Sequence, residues 1–236
     1  LSSLLKKKPM TINLSKAAKY YKEESHQLAA WNWLEGQLDD QTLDQFAELY
    51  RAGPANPDST IITPEVCQQL TGYPASAFDA TFCGDFNKLL MMTGFDKHYE
   101  AMCMLIGNLM HETGNFKWMS EIADGSAYEW REDLGNVCEG DGKKYKGAGV
   151  LMLTGRYNYT RAAELLQDPL ILERGWEYTT DHYPFRSALS WIKDNDLLNV
   201  CLNEGFDACC YKINGGWNGY SDRVEKHQIA KHVFGV

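Results

Sequence analysis

The sequence predicts a mainly α-helical protein, and three observations carry that prediction. Apolar residues recur at three- and four-residue spacing, as in Leu43, Phe46, Ala47 and Tyr50. Helix punctuation falls where the periodicity needs it: Gly53-Pro54 closes one stretch, and Thr63-Pro64 opens another as N-cap and first-turn residue. Residues 99–113, YEAMCMLIGNLMHET, carry Met102, Leu105, Ile106, Leu109 and Met110 on one broad apolar face, which marks a central helix.

Taken in order, residues 14–51 read as helix: Leu28, Trp31, Leu34 and Leu38 first, then a second helix over Leu43–Tyr50 capped by Asp39 or Asp40. The module over residues 1–55 is thus a small helical hairpin of unknown role. Its Trp31 and Trp33 are expected to fill its own core, with a docking face for a protein partner as the alternative. AGPANPDST is a linker by composition. A larger domain over 60–236 follows. It opens with the helix of ITPEVCQQLTGY and continues through the 99–113 helix. Residues 124–149 are rich in Gly, Asp and Lys, hence loop with room for a short hairpin. Helices are expected again over 150–167 and 186–198, up to Lys212, and over 222–233.

Composition sets bounds on function. The net charge of −9 argues against a nucleic-acid binder, which would carry a basic face, and against attraction to anionic membranes. No run approaches the twenty apolar residues of a membrane span. The seven cysteines include no Cys-x-x-Cys pair, so the expectation is buried reduced thiols without a zinc site. LSSLLKKKPM places its leucines before its lysines, the reverse of a secretory signal, so synthesis in a cytoplasm is expected.

The chemistry centres on HETGNFKWMSE, residues 111–121, with Glu112 and Glu121 nine positions apart. On one continuous helix, nine steps of 100° would point them in opposite directions, about 13.5 Å apart along the axis. Gly114 and Asn115 favour a helix end directly after the first glutamate. A turn there lets Glu121 come back towards Glu112, within the roughly 6.5–9.5 Å that separates the carboxyls of an inverting glycosidase. The zinc motif H-E-x-x-H fails, because position 115 is Asn. No metal and no cofactor is expected.

Four elements in order resemble glycoside hydrolase family 19, the chitinases and related phage endolysins. HETGNF (111–116) resembles the helix end that carries the general acid. Residues 120–166 resemble the long segment across the cleft. YKGAGVLMLTGRYNY (145–159) is similar to the Tyr-x-Gly-Arg-Gly-x-x-Gln-Leu-Thr/Ser pattern, and INGGWNGYSDR (213–223) to the C-terminal Ile-Asn-Gly-Gly element. The resemblance implies a lysozyme-like, two-lobed helical domain with a central cleft. It makes Glu112 the general acid and Glu121 the base, with Thr154 helping to hold the attacking water. Asn214 and Arg223 bracket the carboxylates. Glu129 rivals Glu121 as base, and Trp130, Arg131, Tyr145 and Asn158 bind substrate or support the site.

Two positions depart from the pattern: Ala148 stands for its Arg and Met152 for its Gln. Trp130 stands where phage-type members carry Gly, and could stack on a sugar ring or pack on its loop. The implied function is inverting hydrolysis of β-1,4 bonds in peptidoglycan, as in a phage-type endolysin acting at the cell wall after release or virion delivery. The alternatives are a chitinase, or a non-catalytic protein that keeps the fold.

Overall fold

A computed structural model describes residues 60–236, and the helical hairpin read at 14–51, with Trp31 and Trp33, lies outside the described residues. Helix α1 (Pro64–Thr71) begins as its sequence predicts: Thr63 accepts the Val66 N–H through its hydroxyl, and Pro64 occupies the first turn. Gly72, at φ +77°, ends it. Helix α2 (Ala80–Thr93) is capped by Asp79, whose carboxylate accepts the Phe82 N–H at 2.8 Å.

Helix α3 (Tyr99–Glu112) is the central element. Met102, Leu105, Ile106, Leu109 and Met110 are all fully buried on it, each burial favouring the fold by about 1.5–3 kcal/mol over exposure. The C-terminal helix α11 (Tyr220–Phe234) packs along it. They approach closely at Gly107, where a Cβ would stand 2.7 Å from the His227 backbone nitrogen. Only glycine lets the two helices come this close, and that proximity sets which residues of α11 reach the end of α3.

The segment from 113 to 155 contains the short helix α4 (Asp141–Lys144), two single helical turns at Ser126–Tyr128 and Glu132–Leu134, and isolated antiparallel bridges joining Ser120 to Ala148 and Ala148 to Leu153. The loop-with-hairpin expectation is thereby met in its main feature. The helix expected from 150 starts six residues later, as α5 (Arg156–Leu166). Residues 149–153 form a tight turn instead, and Gly155, at φ +89°, cannot continue a right-handed helix.

Helices α6 (Leu170–Arg174) and α7 (Trp176–His182) follow. The single helix expected over 186–198 is broken. One helical turn (Arg186–Ala188) leads into α8 (Leu189–Asp194), and α9 (Leu197–Asn203) begins anew. The break falls at Asn195-Asp196, where Asp196 sits at φ +47° and its carboxylate accepts the Asn199 side chain. Helix α10 (Phe206–Asn214) runs up to the final turn.

One ion pair fixes the frame. Asp85 on α2 takes the backbone N–H groups of Phe185 and Arg186 at 2.8 and 2.9 Å and the Arg186 guanidinium, all buried. Phe185 is thereby held face to face with Phe86, ring centroids 3.9 Å apart, with Phe116 edge-on to both. All seven cysteines are free thiols; six are buried as expected and Cys138 is exposed. Among the described residues no helix is long and apolar enough to cross a membrane.

Candidate active site

Helix α3 stops at Glu112, so the two glutamates of the 111–121 stretch do not share a helix. Thr113, fully buried, makes the stop: its hydroxyl donates to Leu109 O at 2.7 Å and accepts the Phe116 N–H at 2.9 Å. Gly114, Asn115 and Phe116 then run at φ +57°, +62° and +65°, turning the chain back. Phe116 anchors the turn by inserting between Phe82 and Phe86.

The half-buried Glu112 carboxylate meets Arg223 of α11. This guanidinium is 2% exposed, and each of its nitrogens is used. Nη2 donates to Glu112 Oε1 and lies 3.4 Å from Asn214 Oδ1, Nη1 donates to Asn108 Oδ1 at 2.9 Å, and Nε reaches Asn218 O at 3.3 Å. Asn108 is fixed in turn by donating to Met104 O at 2.9 Å. A buried cation stands because its planar fork is matched donor by donor. One residue earlier on each helix, His111 Nδ1 pairs with Asp222 at 2.5 Å, and Lys226 holds the other oxygen of that carboxylate. Burial pushes the Asp222 carboxyl up, but the hydrogen bonds and charges of Lys226 and His111 together draw it below its usual range. Successive pairs thus bind the end of α3 to the start of α11.

Glu121 has different surroundings. Its backbone N–H donates to Gly147 O at 2.9 Å, and Gly149 N–H donates to Met119 O at 2.7 Å, so 119–121 runs antiparallel to 147–149. One carboxylate oxygen accepts the Tyr128 hydroxyl at 2.9 Å and the other the Gly147 N–H at 3.2 Å. Burial, then the hydrogen bond to Glu121 and the charge it carries, pushes the Tyr128 phenol up, which keeps it a donor. A side chain at Gly147 would crowd this carboxylate: a Cβ there would stand 3.2 Å from Glu121 Oε2 and 3.3 Å from Met152 Cβ. Lys146 fixes the same backbone by donating to the carbonyls of Glu121 and Ala123, with its ammonium 4.0 Å over the Trp176 ring.

The remaining predicted residues divide into two groups. Thr154 donates to Met152 O at 2.7 Å and receives, at its own carbonyl, the Asn158 side chain at 2.8 Å, so both belong to the turn beside Glu121. Trp130 is 59% exposed and sits at φ +58°. Glu129, Arg131 and Tyr145 are engaged elsewhere. Both oxygens of Glu129 accept backbone N–H groups, from Gly140 at 2.6 Å and Gly142 at 2.8 Å. Arg131 pairs with Asp133 at the surface. Tyr145 is wholly buried, its hydroxyl donating to Leu172 O. Ala148, where the family pattern has Arg, is likewise fully buried.

Sequence reasoning missed Asn108 and Tyr128. Asn108 left a readable signal, because it is the one amide in the otherwise apolar run Ala101–Met110. Tyr128 left none. Among the described residues no group of three or more His, Cys, Asp or Glu side chains is placed to hold a metal ion.

Sequence and fold comparisons both lead to chitinases. The chain is 28% identical over 172 residues to an endochitinase of Arabidopsis thaliana, covering 70% of this chain and 59% of that protein. It is 31% identical over 112 residues to a second Arabidopsis thaliana endochitinase, covering 48% and 38%. Among solved structures it resembles chitinase C from Streptomyces griseus HUT6037 with a TM-score of 0.57 at 16% identity, covering 78% of this chain and 96% of that one. A mutant of chitinase C aligns with a TM-score of 0.59 at 17% identity and the same coverage. No family model matches the chain. The chain spans about three-fifths of the first of these plant relatives and less of the second. The likenesses bear out the resemblance to family 19 and its lysozyme-like helical fold.

Proposed function

We propose that this chain, a relative of the family 19 glycoside hydrolases, hydrolyses β-1,4 bonds between N-acetylated amino sugars with inversion at the anomeric carbon. The observation that supports this most is the pairing of Glu112 with the buried Arg223–Asn108–Asn214 network at a helix end, with Glu121 standing on a separate, polar segment. Cleaving a glycosidic bond without a covalent intermediate needs one carboxyl to give a proton and one carboxylate to take one.

Glu112 gives its proton to the leaving-group oxygen. Arg223 then stabilises the carboxylate that forms, through Oε1, which leaves Oε2 for the substrate. Glu121 takes a proton from a water whose oxygen bonds to the anomeric carbon from the opposite face. The Thr154 hydroxyl, whose own proton is spent on Met152 O, offers that water an acceptor. Tyr128 and Gly147 hold Glu121 in one orientation throughout. Glu129 is the weaker candidate for base: both carboxylates are hydrogen-bonded through both oxygens, but Glu129 takes two backbone N–H groups at 2.6 and 2.8 Å, whereas Glu121 is held more loosely, at 2.9 and 3.2 Å.

The substrate that the relatives favour is a β-1,4-linked N-acetylglucosamine polymer, since the sequence relatives named above are endochitinases. These names lend no support to the peptidoglycan preference drawn from residues 124–159. The test is digestion of N-acetylchitohexaose followed by proton NMR before mutarotation. An inverted first anomer is expected. A retained anomer overturns the mechanism. Cleavage of purified peptidoglycan with no action on the hexamer, read by mass spectrometry, overturns the substrate.

A further inference from the structure

We infer that the turn carrying Asn214 also builds a second carbohydrate-binding site, on the surface formed by α9, α10 and residues 215–219. A groove of about 350 Å³ lies there, lined by Glu204, Asp207, Tyr211, Lys212 and Trp217 among others. That volume is at the small end of ligand sites. It fits one or two sugar units of a longer chain.

Its aromatic wall is exposed and braced. Trp217 and Tyr211 are 56% and 53% exposed, with ring centroids 5.7 Å apart at 55°. The Tyr220 ring meets Trp217 at 5.3 Å and 80°, and the Tyr220 hydroxyl donates to Asp207 Oδ1 at 2.5 Å. The Phe206 ring lies 6.3 Å from that of Tyr220. A tryptophan this exposed contributes little to the core, yet its ring is held in place by a hydrogen-bonded neighbour. A rigid indole with a face open to water suits the apolar face of a pyranose ring, which it binds at low entropic cost.

The polar lining selects among sugars. Glu204 and Asp207 supply acceptors for hydroxyl and acetamido N–H groups, and two carboxylates against one ammonium disfavour an anionic chain. The ligand class is therefore a neutral β-1,4-linked N-acetylglucosamine oligomer. This rests on the proposed function and narrows it. Neither Glu112 nor Glu121 lines this groove, so it would hold an insoluble polymer while the catalytic residues cleave it.

The experiment uses the full chain in a Glu112→Gln background, where adsorption is measured without hydrolysis. Adsorption to insoluble chitin is expected to weaken about tenfold or more in Trp217→Ala and several-fold in Tyr211→Ala. Trp217→Phe, which keeps a platform, should stay within about threefold of its parent. With Glu112 restored, Trp217→Ala should cleave soluble N-acetylchitohexaose within about twofold of wild type, with unchanged thermal unfolding. Unaltered adsorption in both alanine variants overturns the second site. So does a parallel fall in soluble turnover, which would place Trp217 in the main site or the fold. A wild type that cleaves the hexamer while its Glu112→Gln form ignores chitin also removes the second site but leaves the function standing. A chain that adsorbs through Trp217 and cleaves nothing does the reverse.

Discussion

Glu112 stands on the last turn of a 14-residue helix whose inward side chains are sealed, and its partner Arg223 is almost wholly buried. Glu121 stands on a stretch with neither helix nor extended strand, held by a phenol, one backbone N–H and a single bridge from Ser120 to Ala148. The difference matches the two roles proposed for them. The group that protonates the leaving oxygen must hold one position while its charge changes, and a guanidinium locked to Asn108 and Asn218 provides that. The group that activates water must face it with a fixed carboxylate, and the Tyr128 hydroxyl and Gly147 N–H provide that. A buried guanidinium on one side and a loop of neutral donors on the other give the two carboxylates different environments, which is how one fold can separate an acid from a base.

The sharpest test of the comparison removes each carboxylate in turn. Glu112→Gln should lower turnover by at least 10²–10⁴-fold, because the amide keeps the shape but cannot donate the catalytic proton. Near wild-type kcat would take Glu112 out of the mechanism. Glu121→Gln should come next, at about 10²-fold or more. Glu129→Gln should instead lower stability by about 1–2 kcal/mol, by weakening the two backbone hydrogen bonds that close the 129–142 loop, with a smaller effect on turnover. Circular dichroism melts alongside the kinetics separate the two, and a reversed order would exchange their roles.

Arg223→Lys tests the rigid side alone. Lysine keeps the charge but cannot serve Glu112, Asn108 and Asn218 at once. Breaking a buried pair costs about 3–5 kcal/mol when a partner is removed, so a charge-conserving change should cost less than that in stability. Turnover should still fall 10-fold or more, from misplacement of Glu112. An active, unshifted Arg223→Lys would show that the charge matters and the fork does not.

What the sequence made legible follows the same division. The end of α3 was readable because Gly114 and Asn115 are local signals, and the Met102–Met110 face is a strict period. The pairing of Arg223 and Asn214 with Glu112 was readable only through the family resemblance, since more than a hundred residues separate them and no local rule joins them. The loop side was legible in composition and not in detail. The helix start at Arg156 depends on Asn136, which accepts the Arg156 N–H from 20 residues away, and on a turn at Met152 with φ +51°. Glu129 resembled a base by position, but Gly140 and Gly142 engage it, a contact between loop residues that periodicity cannot show.

The loop side should also yield first to acid. Asp141, 2% exposed, accepts Nε and Nη2 of Arg156 and the N–H groups of Val137 and Cys138. The Arg156 hydrogen bond, set against burial, holds its carboxyl below the usual range. A carboxyl depressed on folding contributes stability that is complete above its unfolded pKa of about 4 and lost as pH falls through its folded value. Amides of residues 137–142 should therefore lose hydrogen-exchange protection below about pH 4 while those of α3 keep theirs. Asp141→Asn should lower loop protection already at neutral pH and flatten its dependence on acid. Simultaneous loss in both regions would mean that the two sides unfold as one unit.

The smallest expected effect is at Trp130, and it asks whether strain on the loop side serves the substrate. A residue with a Cβ at φ +58° costs about 1–2 kcal/mol, and glycine would remove most of that at about 0.5–1 kcal/mol of its own entropy. The indole is 59% exposed, so little packing is lost with it. Trp130→Gly should therefore leave stability unchanged or raise it by about 1 kcal/mol, a gain of roughly 2–4 °C in Tm for a chain of this size. If the ring stacks on a sugar, kcat/KM on long oligomers should fall several-fold in the same variant, with little change on the shortest substrate. Strain would then persist on the loop because it presents an aromatic face to the substrate. A lower Tm with unchanged hydrolysis would show the opposite, a tryptophan packed on its own loop, and would confine substrate contacts to the rest of the site.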